Sequence, residues 1–437
     1  MFRSFLSALI SICLLILLCG CDVFTADTEQ LLSPPALTGD MYPIQEALNN
    51  SVKTEYTLKY PSGGDYRSAV ILNDINGNGE LEAFAFYSVP DGDIEVMHIN
   101  TIYRKDGKWT SVSDLKVEAS GVDSVDFCDL NNDGTMEIIV GWEILGSTDK
   151  QVAVYSFEND TLSQRLIHAY TSFLCCDLDE NGESELFIHQ FNAVDYVNEA
   201  LLYSLEDAGV VQMSGCTMDS TVRTVSEPVL SVLSTGQPAV YIDETKASGT
   251  ITEVIYMKKG SLVNPLLDAE TGENTKTLRT VAAAIQDIND DEIIEIPVSE
   301  LMISSEDGEN SEKVYYTKWS SYNGEQLTTK RTTLLNATDG YYLDVPERWI
   351  GHITLTRDNE RRTRQIYAYN PKEKTVGAAL AFFVAVPHDN WEDYKEYSMD
   401  LIEISRNDSY VFAGKAYKGE GSLYITEEEL KAMFFVY

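Results

Sequence analysis

The sequence is poor in positive charge. Its 437 residues hold 32 Lys and Arg against 70 Asp and Glu, with only 5 His, for a formal net charge of −38 at pH 7. A surface of that sign repels phosphate backbones and anionic headgroups, so nucleic acid is excluded as a partner on electrostatic grounds. The imbalance is uneven: from Thr338 onward there are 12 basic and 17 acidic residues, so most of the acid stands earlier. Ligand-type side chains are also scarce. His98, His168, His189, His352 and His388 are scattered, and past residue 40 cysteine occurs only as Cys128, Cys175, Cys176 and Cys216. None of these has zinc-site spacing. Buried thiols are the expected state, because a bridge such as Cys128–Cys176 needs Cα atoms within about 7 Å. The chain also lacks a Gly-x-Ser-x-Gly elbow, a His-Glu-x-x-His pair and a phosphate-cradling Gly loop. No catalytic residue is read, and the chain is expected to bind rather than catalyse.

Apolar length is confined to the start. Phe5–Leu18 is an apolar run preceded by Arg3, too short for a typical spanning helix and suited to a signal peptide over 1–20. Leu18-Cys-Gly-Cys21 resembles a bacterial lipobox, which makes Cys21 the expected lipidated residue. A flexible tether over 21–40, containing Ser33-Pro-Pro-Ala, follows. The expected location is extracytoplasmic, with the protein held on the cell membrane by its N-terminal lipid.

What the chain has in quantity is a repeated acidic loop. Asp74-Ile-Asn-Gly-Asn-Gly-Glu-Leu-Glu82, Asp129-Leu-Asn-Asn-Asp-Gly-Thr-Met-Glu137, Asp177-Leu-Asp-Glu-Asn-Gly-Glu-Ser-Glu185 and Asp287-Ile-Asn-Asp-Asp-Glu-Ile-Ile-Glu295 share one pattern. Oxygen side chains stand at positions 1, 3, 5 and 9, as in loops that wrap a hard cation, and Gly at position 6 supplies a turn with φ > 0. The candidate calcium ligands are Asp74, Asn76, Asn78, Glu80 and Glu82; Asp129, Asn131, Asp133, Thr135 and Glu137; and Asp177, Asp179, Asn181, Glu183 and Glu185. The fourth loop keeps Asp287, Asn289, Asp291 and Glu295 but has Glu292 at position 6, so weak or absent binding is expected there. An EF-hand needs a bidentate Glu at position 12, where this chain has Ala85, Val140 and Ile188. Alternating flanks such as Ser68–Leu72 and Leu81–Tyr87 read as strands, giving strand–loop–strand sites. Plain Asn/Gly/Asp hairpin turns that bind nothing are the alternative.

The loops recur at a period near 50, with a worn copy at Leu230–Ile242 that keeps Gly236 and has lost its acids. Short strands at such a period signal propeller blades, here five, starting near 66, 119, 169, 223 and 279. From about Tyr66 to Leu335 the chain resembles the FG-GAP/VCBS repeat family, the calcium-loop propeller units of integrin α heads and bacterial surface proteins. The resemblance implies structural calcium and a binding, adhesion or scaffold role toward a protein or glycan ligand. The expected fold is mainly β, with the five-bladed calcium-loop propeller over 41–337 and a small α+β domain over 338–437. Thr54–Tyr60 is expected to close the ring by pairing with the last blade. An envelope enzyme acting on polysaccharide or peptide is the alternative, and a buried carboxylate pair with raised pKa would favour it.

Overall fold

The computed structural model describes residues 41–92, 94–206, 209–303 and 313–436. The expected signal peptide, Cys21 and the tether at 21–40 lie outside the described residues. Two compact units divide the chain. One runs up to Phe127 and takes in Thr135–Thr148 and Ala153–Gln164; the other comprises Cys128–Gly134, Asp149–Val152 and the chain from Arg165 onward. The architecture is mainly β, in successive antiparallel sheets.

In the first unit a helix, Tyr42–Ser51, starts on Pro43 and buries Ile44, Ala47 and Leu48 along one stripe. The first sheet is a meander of Val70–Asn73, Glu82–Asp91, Ile94–Lys105 and Lys108–Val117. Its long strand Glu82–Asp91 is buried from Glu82 to Ser88 because both faces are covered. Ala83, Ala85 and Tyr87 pack toward Ile44 and Leu48 of the helix. Phe84 and Phe86 turn the other way, onto Val122, Val125, Val140 and Trp142.

The strand expected to close the ring does something else. It shortens to Thr57–Leu58 and pairs inside the first sheet, Thr57 opposite Ser88 and Leu58 opposite Tyr87. The reason is local. Val70–Asn73 pairs only Glu82–Ala85, which leaves the edge of the long strand open beyond Ala85. A nearby segment closes that gap at less entropic cost than a distant one.

The second sheet repeats the meander with Gly121–Cys128, Glu137–Glu143, Lys150–Glu158 and Thr161–Tyr170. In the second unit the pattern continues with Ser172–Cys176, Glu185–Asn192, Val197–Glu206 and Gly209–Thr217. The fourth sheet sets Thr224–Val225 and Val229–Val232 on Pro238–Lys246, followed by Gly249–Lys258 and Ser261–Val263. The fifth has lost its first strand: only the bridge between Gln286 and Glu295 remains ahead of Ile296–Leu301. Tyr315–Tyr322, Leu327–Asn336, Tyr341–Asp344 and Phe434–Val436 complete it. The boundary expected after 337 therefore falls between paired strands, with Asn336 opposite Tyr341.

A sixth sheet orders Ile353–Asp358, Thr363–Asn370, Thr375–Pro387, Tyr410–Ala416 and Ile402–Arg406. Its core joins that of the fifth sheet around Trp349, Phe383, Phe412 and Phe434. The helix Glu427–Ala432 opens on a capping box: the Glu429 N–H donates to Thr426 Oγ1, and the Thr426 N–H donates to Glu429 Oε2. Arg361 pairs with Asp358 and Arg362 with Asp339. Arg362 also lies over the Tyr410 ring at 4.8 Å.

Candidate metal centres

Each acidic loop is wound by its own side chains. In the first, Asp74 accepts the N–H groups of Asn78 at 3.1 Å and Gly79 at 2.8 Å, and Asn78 Oδ1 accepts the Glu80 N–H at 2.7 Å. Glu82 is 4 % exposed. It accepts the Ile75 N–H at 3.0 Å and the Asn76 amide at 2.9 Å. Burial raises its carboxyl, those two donors oppose the shift, and the Asp74 charge adds to it. In the second loop Asp129 accepts from the Asp133 N–H at 3.1 Å and the Gly134 N–H at 2.9 Å. Asn131 donates to Asp133 Oδ2 at 3.0 Å. Glu137 is buried and accepts from Ser156 at 3.2 Å.

The third and fourth loops gather their acids. One carboxylate oxygen from each of Asp177, Asp179 and Glu185 lies within 4.8 Å of the other two, and the same holds for Asp287, Asp291 and Glu295. Glu183, at position 7, is exposed and stands outside its group. Burial pushes both ninth-position carboxyls up to about 7. The Leu178 and Ile288 N–H groups oppose this at Glu185 and Glu295 respectively, while the other acids of each loop add to it. Against a burial penalty, backbone N–H groups of Glu292, Asp291, Asn289 and Asp290 hold Asp287 below the usual carboxylate range.

Two observations test whether a hard cation fits. All three gathered acids of the fourth loop, Asp287, Asp291 and Glu295, offer oxygen, the donor such ions take. Glu295 is fully buried, and its Oε1 has no hydrogen-bond partner, whereas Oε2 accepts the Ile288 N–H at 3.2 Å. A buried, unpaired carboxylate oxygen beside two other acids is costly until a cation meets it. The residues fit. Position 6 carries the left-handed turn in all four loops: φ is 85° at Gly79, 86° at Gly134, 89° at Gly182 and 66° at Glu292. The fourth loop thus forms despite its Cβ. The apolar residues at position 12, Ala85, Val140 and Ile188, are fully buried in the strands.

A polar cluster that sequence reasoning missed lies between the third and fourth sheets. Asn198 donates to Glu244 Oε1 at 3.0 Å and accepts from His189 Nε2 at 2.9 Å. Glu253 accepts the Asp219 N–H and the Asn274 amide, each at 3.0 Å. Burial drives both carboxyls up, Glu244 well above the usual range, and each also faces neighbouring negative charge. Burial lowers His189 to about 4, with Asn198 opposing. At neutral pH the ring is therefore uncharged, and its 3.7 Å approach to Glu244 is not an ion pair. The available signal was charge inside apolar strands, at Asp243-Glu-Thr-Lys246 and at Glu253 between Ile251 and Val254.

These two glutamates set a pH dependence. Their folded-state pKa values exceed the unfolded value near 4.3, so the folded chain holds the extra protons. Their contribution to stability falls as pH rises through that window. Glu244→Gln is expected to raise the melting temperature at pH 8 and to change it little at pH 4. A variant equally or less stable at pH 8 would remove the argument.

An open cleft of about 390 Å³ adjoins the cluster, lined by Tyr196, Asn198, Glu199, Thr217, Met218 and Ser220. Cys128, Cys175, Cys176 and Cys216 form no disulfide, and burial pushes the Cys176 and Cys216 thiols up to about 12. Among the described residues no helix is long and apolar enough to cross a membrane.

No curated protein matches the chain in sequence. Among solved structures, a protein from Lactobacillus plantarum is 11% identical with a TM-score of 0.29, covering 72% of this chain and 84% of its own. A Pseudomonas aeruginosa periplasmic gluconolactonase is 14% identical with a TM-score of 0.28, covering 74% and 87%. A Bacillus licheniformis rhamnogalacturonan lyase is 10% identical with a TM-score of 0.31, covering 75% and 76%. Likenesses at these scores carry no activity to this chain. Residues 74–140, which hold the first two acidic loops, match the FG-GAP-like repeat.

Proposed function

We propose that the chain is a binding or scaffold module, a five-bladed propeller with calcium in its strand–loop–strand sites. It presents a face to a protein or glycan ligand outside the cytoplasm, held to the membrane by a lipid on Cys21. The supporting observation is the fourth loop, where the unpaired Glu295 Oε1 sits with Asp287 and Asp291. Bound calcium would supply structural charge neutralisation there. The residues to hold it are the acids and amides of positions 1, 3, 5 and 9. The fourth loop is included because Glu292 already occupies its strained φ.

The test is calorimetric titration of chelator-treated protein with calcium, alongside melting curves. At about 1 mM calcium, a site with Kd of about 10⁻⁴–10⁻³ M contributes roughly 0.4–1.4 kcal/mol. Asp177→Ala and Asp287→Ala are each expected to remove one such share. Glu292→Gly is expected to gain about 1 kcal/mol by relieving the turn. A melting temperature indifferent to chelator would overturn the metal reading. Intact mass of membrane-extracted protein reads out the lipid, and an unmodified Cys21 would overturn the anchor.

The enzyme reading keeps one supporting observation, the raised Glu244–Glu253 pair beside the cleft. Both carboxyls are fully buried, with Asn198 hydrogen-bonded to Glu244. That places this reading second; turnover of a polysaccharide or peptide that Glu253→Gln abolishes would promote it.

A further inference from the structure

A backbone carbonyl at position 2 of such a loop needs a donor of its own, and in two of the loops the donor is seen. In the first loop Ile75 O accepts the Met136 N–H at 2.6 Å, a donor lent by the following loop. After the fourth loop no further acidic loop follows in the sequence. There a side chain takes over: Arg331 NH1 donates to Ile288 O at 2.6 Å.

Arg331 is itself fixed on every side. Its NH2 donates to Asp344 Oδ2 at 2.9 Å, and its Nε lies 2.7 Å from Asp344 Oδ1 as an ion-pair contact. NH1 also donates to the Tyr342 hydroxyl at 3.1 Å. The guanidinium lies 4.5 Å from the centre of the Phe435 ring and 5.4 Å from that of Tyr342. Those two rings stack on each other at 5.1 Å. Phe435 belongs to Phe434–Val436, which pairs only with Tyr341–Asp344 in its sheet. One residue thus grips the loop carbonyl with one nitrogen and the last strand with its flat face. On the loop side, the N–H of that same Ile288 is held by Glu295, the buried acid of the candidate site.

We propose that Arg331 is a positioning residue that couples cation occupancy of the Asp287 loop to the seating of the strand Phe434–Val436. The proposal rests on the reading that this loop takes calcium. Drawing Asp287, Asp291 and Glu295 together fixes Ile288 between them, which fixes the carbonyl that Arg331 holds. The guanidinium then keeps its place over Phe435. The coupling is reciprocal, as any linkage between two equilibria must be: loosening the strand weakens the loop's hold on the cation.

Hydrogen exchange on the full chain, with about 1 mM calcium and with chelator, tests this. In the wild type, calcium is expected to slow exchange of the 434–436 amides about fivefold or more, the lower end of common coupling strengths. In Arg331→Met the same amides should exchange alike in both conditions, while heats from the other loops persist. Arg331→Lys should behave as Arg331→Met, because one ammonium cannot hold the Ile288 carbonyl, the Asp344 carboxylate and the ring faces together. Phe435→Leu, approached from the strand side, should weaken one calcium site about fivefold, identified as the site that Asp287→Asn deletes. If Arg331→Met fails to fold, the Phe435→Leu titration decides. Unchanged exchange at 434–436 in a wild type whose Asp287 site binds calcium would overturn the coupling and leave the metal reading intact. An Asp287→Asn variant with unaltered stoichiometry would instead remove the site and the coupling together.

Discussion

Asp219→Ala is expected to cost about 3–5 kcal/mol, the range seen when one partner of a buried charge pair is removed. The Asp219 side chain is fully buried, and Lys246 Nζ donates to its Oδ2 at 2.7 Å from a side chain that is 5 % exposed. The same oxygen accepts the Asn274 N–H at 2.9 Å, and Oδ1 accepts the Thr221 hydroxyl at 2.6 Å. Alanine would take this acceptor from each of these donors. Lys246 would keep only Glu273, at 3.1 Å and half exposed. Urea unfolding measures the cost. Adding Lys246→Met to Asp219→Ala should recover part of it, since the stranded charge is then gone. A loss below about 1 kcal/mol would place the pair with surface ion pairs, contrary to its burial.

Trp349→Ala is expected to cost a similar amount, about 3–5 kcal/mol, by the transfer and cavity terms of a deleted indole. Trp349 is fully buried in the core cluster that also holds Tyr316 of the fifth sheet, Ile353 of the sixth and Leu430 of the helix Glu427–Ala432. Its Nε1 donates to Leu423 O at 2.7 Å. Trp349→Phe should keep most of the packing and lose the hydrogen bond, for roughly 1 kcal/mol beyond the volume change. If this residue makes one cooperative body of the fifth and sixth sheets, Trp349→Ala should split the unfolding transition. A single transition at unchanged midpoint would show that the sheets stand without it.

The loops and their surrounding strands were legible because they are local. Asp at position 1 can reach the N–H groups four and five residues on whatever the rest of the chain does, and the bonds from Asp177 to Asn181 and Gly182 are of this kind. The φ > 0 requirement at position 6 was likewise readable from three glycines, and Glu292 shows the requirement outlasting the residue that meets it best. The pairing of Thr57–Leu58 was not legible. It depends on how much of Glu82–Asp91 its neighbour leaves open, a property of two strands rather than one. The Asp219 network was invisible for the same reason: its partners Lys246 and Asn274 stand 27 and 55 residues away. Tyr410–Ala416 is hard to read as a strand from the sequence, because Gly414 and Lys415 interrupt its apolar pattern. Gly414 is there for close approach, since a Cβ would stand 2.4 Å from Phe382 O.

The position of Phe434–Val436 has a consequence for the order of folding. Leu343 pairs with Phe434, a contact across 91 positions, and the sixth sheet is made between them. A chain emerging from the ribosome or a translocon therefore exposes the open edge of Tyr341–Asp344 until the whole intervening stretch has appeared. Contacts of that separation form late and slowly, because loop closure must come before they return anything. The waiting edge carries Tyr341, Tyr342 and Leu343, an apolar strand of the kind that pairs with the wrong neighbour when left uncovered. Aggregation of this protein, where it occurs, should begin at that edge.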